Sequence, residues 1–539
     1  MKKRRVIVSV VLAGVIVGTF LLWGSRLWAD NESVNMQLAK LNYILRVARD
    51  NYVEDPDASK MLEGAIRGML SELDPHSVYI PAEDQKRISE TFRGEFEGIG
   101  ISFSIQNKWL TVVSPIPGTP ADRLGIRAGD RIIKINNISA YGISNDEVFE
   151  KLRGPKGTTV DVTISRPGVN DPLDFTIVRD AIPIYSVGAS FLLPDKETGY
   201  IRINQFTQTT DGEVQQALDS LIGQGMKQLL LDLRSNPGGY LDQAWKVADL
   251  FLPRDNMMIV YTKGRVARSN QEFYSTGRGA KYNFPLIVAI NHGSASASEI
   301  VSGAVQDHDR GLVIGEVSFG KGLVQTPYPL PDGSAVRLTT ARYYTPTGRL
   351  IQRPYDKGIA EYIMGAGDNG EEEGEDGAPA DTTPRETFRT DGGRTVYGGG
   401  GITPDSTIAS QRGTATTARL LGNRLYFEWA ADYATKHPEL SRDFDSFYKN
   451  FEATDDMLSD LRKLAEERKV EIKEDEWDKD LNFTKDNLKA ELASVLFNDR
   501  NLYHLVRIAT DPQINTALTL FPEAEQLAES AHTLPEKRQ

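Results

Sequence analysis

Residues 291 to 326 read NHGSASASEIVSGAVQDHDRGLVIGEVSFGKGLVQT and concentrate groups suited to acyl transfer. Three serines, Ser294, Ser296 and Ser298, crowd one turn, and Glu299, Asp307, His308 and Lys321 follow. A serine hydroxyl is a weak nucleophile until a base takes its proton, and either a histidine or a neutral lysine can do so. His292 precedes the serines, whereas Asp307 and His308 lie eleven and twelve positions beyond Ser296. On a continuous helix those offsets are about 16 and 18 Å, too far for a direct bond to the serine. Asp307 is therefore assigned a supporting role, orienting Lys321 or neighbouring backbone. Lys321 arrives on the following segment, which can pass back beside the helix start. To act as a base it must be neutral, and an ordinary lysine titrates near about 10.4, so apolar surroundings must desolvate it. Val317, Phe319, Leu323 and Val324 are the neighbours able to do so. By composition alone, Lys321 reads as a solvated surface lysine.

The elements that must position these groups are visible around them. Leu286 to Ile290 is short, apolar and β-branched, as a buried strand requires, and SASEIVSGAVQD then turns to helical spacing. This strand-turn-helix places a serine where unpaired N–H groups and the helix dipole favour a developing oxyanion. The pattern Ser296 to Glu299 also fits a capping box, a purely structural use. Residues 199 to 360 alternate strand and helix patterns, which predicts an α/β body with parallel pairing. Between KQLLLDLR and YLDQAWKVADLFL lies SNPGG, whose Gly238 and Gly239 give a turn its freedom and can aim an N–H at a substrate carbonyl.

Elsewhere the chain divides by composition. KKRR precedes an uncharged run from Val6 to Gly24, long enough to span a bilayer, so residues 1–30 are expected to be a cytoplasmic basic end and an uncleaved single-pass anchor. The remainder is then extracytoplasmic, in the periplasm. Residues 31–93 read as helical, interrupted by LDPHSVYI, whose His76 is read as a loop histidine. Residues 94–182 carry short β-branched runs broken by glycine and proline. The core is expected over 183–364. A flexible acidic insertion follows at 365–386, then a return strand of the core over 387–412 and a separate helical region over 413–539. The charge balance, 62 basic against 75 acidic residues for a net −13, argues against a nucleic-acid partner. With no cysteine and no HExxH-like pair among six histidines, neither a metal nor another cofactor is expected.

Two resemblances sharpen this reading. GIGISF followed by PIPGTPADRLGIRAGDRIIKINN resembles a PDZ domain. That likeness implies that Gly98, Ile99, Gly100 and Ile101 present backbone N–H groups to a peptide's terminal carboxylate while the next strand pairs with the peptide. From about residue 36 to 410, the ordered motifs LDPHS, GEFEGIGI, LDLRSNPGG, GSASASEI, QDH, GEVSFGKGLVQT and YGGGGITPD resemble the C-terminal processing peptidases, also called tail-specific proteases. The resemblance implies a ClpP/crotonase-like α/β protease core with an inserted PDZ domain. It implies Ser296 as nucleophile and Lys321 as base, with Gln325 positioning the lysine and Asp307 as a further acidic residue. It also implies an oxyanion hole from Ala297 with Gly238 or Gly239. Protein C-termini are the implied substrates, and a homo-oligomer or an adaptor is left open. The alternatives are a catalytically silent PDZ scaffold and a serine-histidine hydrolase using His292.

Overall fold

The computed structural model describes residues 34–356, 362 and 385–533. The expected anchor and nearly all of the acidic insertion lie outside the described residues. Among the described residues, no helix is long and apolar enough to cross a membrane.

The chain divides into two compact units. The first comprises Met1–Pro81 with Pro327–Leu338. It holds a helix over 34–51 that leaves Leu38, Leu41, Ile44 and Val47 exposed, and a second helix, Ala58–Ser71, capped by the Asp57 carboxylate. The LDPHS segment is a turn built on Asp74, whose side chain accepts the N–H groups of His76 and Ser77 at 2.8 and 2.9 Å. Val78–Ile80 then pairs antiparallel with 335–337.

The second unit, Ala82–Thr326 with Thr339–Gln539, contains the α/β core. Its six-stranded sheet runs β1 (Val187–Leu192), β2 (Thr198–Ile203), β3 (Gln228–Asp232), β4 (Leu286–Ile290), β5 (Leu312–Gly315) and β6 (Ser406–Thr407), in that spatial order. β1 is antiparallel to β2, and every later neighbour is parallel. Successive side chains of a strand face opposite ways, so a parallel sheet must be covered twice. Ile201, Leu229, Leu231, Val288 and Val313 pack on one face against α1 (Thr210–Gly223), α2 (Leu241–Asp249) and α3 (Ala297–Asp307). Tyr200, Leu230, Ile287, Ala289 and Ile314 point the other way.

That second face is covered by the end of the chain. After α4 (Arg500–Ile508) come α5 (Pro512–Thr519) and α6 (Phe521–Thr533), which bring Ile514, Ala517, Phe521 and Ala524 against it. The helices after Thr414 therefore divide between two cores. Those from Ala415 to Phe497 enclose one of their own, around Leu425, Trp429, Leu461, Trp477, Leu488 and Leu492. The last two complete the cover of the six-stranded sheet, because α1, α2 and α3 all occupy its opposite face.

Residues 94–183 form a β-rich module. Its strands order as 101–106, 109–115, 131–135, 159–165 and 173–178, all antiparallel, with helix Asn145–Leu152 packed on the core of Val112, Ile132, Val148 and Ile164. A ribbon of Glu95–Gly98 and Asp180–Pro183 closes its stem. This leaves Ile101–Gln106 at the sheet's edge.

Candidate active site

β4 ends at Ile290, and after a six-residue turn α3 begins at Ala297. Ser296 occupies the corner with φ 54° and ψ −109°. Such a conformation costs a non-glycine residue about 1–3 kcal/mol and persists only where its surroundings impose it. The three serines differ in what holds them. Ser294 Oγ donates to Leu233 O at 2.8 Å and accepts from Asn291 N–H at 2.9 Å, and Ser298 Oγ donates to Asn236 O at 3.0 Å. Both are fully buried. The Ser296 hydroxyl is half-buried and bonded to neither of those distant carbonyls. Its carbonyl accepts from Tyr343 Oη at 3.1 Å. Burial, with the Glu299 carboxylate, pushes that phenol well above its ordinary value and keeps it a donor.

Glu299 makes the carboxylate half of the expected capping box, and much more. Its Oε2 accepts Ser296 N–H at 2.7 Å and Lys321 N–H at 2.9 Å. Its Oε1 accepts Gly320 N–H at 2.7 Å and Ser318 Oγ at 2.5 Å. Ser318 Oγ itself takes Ile402 N–H at 2.6 Å, so its proton is directed at Glu299. Complete burial pushes the Glu299 carboxyl above its ordinary value, against the lowering effect of its four donors. A second tie, Phe319 N–H to Ser294 O at 2.9 Å, fastens the same loop to the serine turn. By its sequence pattern alone Glu299 is only a helix cap. The available signal was a carboxylate three residues after the serine followed by a second glycine-flanked loop.

Lys321 Nζ donates to Gln325 Oε1 at 3.0 Å, and both residues are half-buried. Leu323 is buried beside them and Val324 packs on the main core. Asp307 lies at the far end of α3, fully buried and paired with the equally buried Arg349. It also accepts Thr347 N–H and Oγ1 at 3.0 and 2.8 Å, so it organises the turn after Tyr344. His308 lies between Asp391 Oδ2 at 2.7 Å and Met258 O at 2.6 Å. His292 lies 3.7 Å from Glu316 Oε2, and burial lowers its pKa below the ordinary value. Neither histidine is bonded to Ser296. Among the described residues, no cluster of histidine, aspartate and glutamate is placed to hold a metal ion.

The two glycines of SNPGG are distinguished by their amides. Gly238 N–H is spent on Asn236 Oδ1 at 2.9 Å, and Gly238 O accepts Phe206 N–H at 2.9 Å. Gly238 has φ 99°, and a Cβ there would stand 2.7 Å from Ser296 Cβ and 2.9 Å from Ala297 N. The NPGG turn thus lies directly against the start of α3. Among the described residues, neither Gly239 N–H nor Ala297 N–H makes a hydrogen bond. In the β-rich module, the amides of Ile99 and Gly100 are similarly unengaged, while their carbonyls accept from Ala121 and from Ile116. Ile99 is buried, and Gly98 and Ile101 flank this loop at the ends of the two strands that meet there.

An α/β core with an inserted module of this kind, and a serine turn tied to a lysine loop, defines a PDZ-bearing serine-type peptidase. The profile of peptidase family S41 matches residues 197–363, that of a PDZ domain residues 111–166, and that of the activating protease CtpB N-terminal domain residues 26–84. A family of unknown function matches residues 416–498. A carboxy-terminal-processing protease of Bartonella bacilliformis is 44% identical over 355 residues, 65% of this chain and 80% of the relative. The carboxy-terminal processing protease CtpA of Bacillus subtilis is 36% identical over 360 residues, 66% of this chain and 74% of the relative. The solved photosystem II D1 C-terminal processing protease is 27% identical, covering 68% of this chain and 86% of its own, with a TM-score of 0.34. The chain belongs to the carboxy-terminal processing proteases of peptidase family S41.

Proposed function

We propose that this peptidase cleaves with Ser296 as nucleophile and Lys321 as its general base, after its PDZ domain has captured a protein C-terminus. The observation that carries the reading is the single oxygen, Glu299 Oε2, that accepts the backbone amides of both Ser296 and Lys321. Neutral Lys321 takes the Ser296 proton as Oγ attacks the scissile carbonyl carbon. Ala297 N–H and Gly239 N–H receive the oxyanion, where loss of one such donor typically costs about 10²–10³-fold in rate. Collapse of the tetrahedral intermediate breaks the C–N bond, Lys321 returns the proton to the leaving amine, and an acyl-enzyme remains. Water, deprotonated by Lys321, then releases the acid and restores Ser296. Gln325 aims the amine through its bond to Nζ. Asp307 supports this site at a distance, through the Thr347 to Arg349 turn.

Tail capture by the PDZ domain is supported by the unengaged amides of Ile99 and Gly100 and by the open edge of Ile101–Gln106. Phe103 of that strand stands edge to face with Phe149 of helix Asn145–Leu152, at 5.4 Å. Anchoring and export rest on residues 2–24 alone, and extraction of membranes at alkaline pH tests them: release of the chain into the supernatant would overturn an uncleaved anchor.

The dyad is tested with the full chain and an unfolded protein bearing an apolar C-terminus, with mass spectrometry of the products. Ser296→Ala and Lys321→Ala should each abolish cleavage and leave tail binding intact. Undiminished proteolysis in either variant overturns the assignment.

A further inference from the structure

At the carboxyl ends of β2, β3 and β4, where open parallel sheets place their ligands, lies a cavity of about 160 Å³. It is lined by Arg202, Arg234, Ser235, Asn291, Arg507 and Asp511, among others. Its charges nearly match. Arg202 and Arg234 both pair with the buried Asp232, at 3.0 and 2.8 Å, and Arg234 reaches Asp511 at 2.7 Å. Burial pushes the Asp232 carboxyl up, but the two guanidinium groups outweigh it and hold the group below the ordinary range, hence ionised.

Two carboxylates thus answer two arginines, and Arg507 is left over. This half-buried side chain makes no ion pair or hydrogen bond among the described residues, and its guanidinium lies 4.5 Å from the centre of the Phe483 ring. A guanidinium resting on an aromatic ring keeps its planar fork of N–H donors, the geometry that matches carboxylate and phosphate. Ser235, held at φ 59°, accepts from Asn291 Nδ2 at 3.3 Å and so keeps its own proton to donate.

We propose that this cavity binds a small oxyanion, a carboxylate or phosphate group, with Arg507 supplying the charge and Ser235 a second donor. Two of its lining residues are bonded into the turns of the candidate active site. Asn291 Oδ1 accepts Ser235 N–H at 2.7 Å and Gly293 N–H at 3.0 Å, and Asn236 O accepts Ala295 N–H at 3.0 Å. The bound anion therefore joins α4, which carries Arg507, to the two segments bearing Gly238 and Ser296.

Calorimetric titration of the full chain with inorganic phosphate, at constant ionic strength set by chloride, tests this. Saturable binding at one site per chain is expected, weakened at least tenfold in Arg507→Gln and partly retained in Arg507→Lys. A parallel titration with acetate separates the sources: acetate binding points to a carboxylate ligand, phosphate binding alone to a phosphate. Ser235→Ala leaves every charge in place and should weaken binding about threefold to tenfold, which keeps the test decisive should Arg507→Gln not fold. No saturable binding of either anion, or an unchanged Kd in folded Arg507→Gln, overturns the proposal.

Discussion

Glu299 accepts the backbone N–H of Lys321 at 2.9 Å across 22 residues of chain, on the same carboxylate oxygen that takes Ser296 N–H at 2.7 Å. A fully buried carboxylate with four donors aimed at it is costly to remove, because each donor then loses its partner in a place water does not reach. Its position couples the two loops that the proposed chemistry must keep in register. The coupling acts through backbone, so Glu299 is a positioning residue.

Glu299→Gln should therefore place an amide NH₂ against N–H groups that need an acceptor. A penalty of about 1–3 kcal/mol is expected for the donors left unmatched. If half of it falls on the loop geometry, kcat/KM drops by about twofold to tenfold, while the affinity of the isolated tail peptide stays unchanged. Steady-state kinetics with a tailed substrate, beside peptide binding by fluorescence anisotropy, separates the two. Wild-type kcat/KM would remove Glu299 from the positioning of the dyad.

Gly238→Ala should cost on the order of 10²-fold in kcat, comparable to the loss of an oxyanion donor. The added methyl meets Ala295 O and Ser296 Cβ, both at 2.7 Å, and the position demands φ 99°, which alanine rarely adopts. Rates measured under saturating substrate check this, with circular dichroism to show that the fold survives.

Asp307→Asn should act on stability rather than on chemistry. Its partner Arg349 is wholly buried and also bonds Gln306 Oε1 at 3.0 Å, so the substitution strands a cation in the interior. Breaking one side of a buried pair costs about 3–5 kcal/mol. Denaturant unfolding should show that loss, while activity measured well below the thermal midpoint stays within a few-fold of wild type. A large fall in kcat with unchanged stability would instead give Asp307 a part in the reaction.

Acid should loosen the helical region between Ala415 and Phe497 through Glu476. Its carboxylate accepts Thr416 Oγ1 at 2.6 Å and Thr416 N–H at 2.8 Å, and these bonds, led by the hydroxyl, lower its pKa from 4.5 to about 2. A depressed carboxyl contributes stability that is fully present above its unfolded value and is lost as pH falls through the folded one. Wild type should be more stable than Glu476→Gln at pH 7, and the difference should shrink from about pH 4.5 down to about pH 2. Thermal midpoints followed by the fluorescence of neighbouring Trp477 would reveal it, and a gap independent of pH would refute it.

Much of this architecture was legible in the sequence because it is local. Leu286–Ile290 announces a buried strand by its apolar β-branched run, and SASEIVSGAVQD announces the helix after it. The two glycines of SNPGG declare a turn that L side chains resist. Motif order identified the protease core and the PDZ module together. By itself, then, the sequence determined the class of fold and the short set of residues from which a serine-lysine site would be drawn. Tertiary structure decided what each of them is bonded to. Ser294 and Ser298 are tied to carbonyls 61 and 62 residues away, leaving the Ser296 hydroxyl without such a bond. Asn236 consumes the amide of Gly238 and leaves that of Gly239. Glu299 turns from a helix cap into a hub, and Phe521 from one more amphipathic position into cover for the protease sheet. Periodicity reports which face of an element is apolar. The partner that covers that face, or takes a buried hydrogen bond, depends on segments far along the chain that only folding brings together.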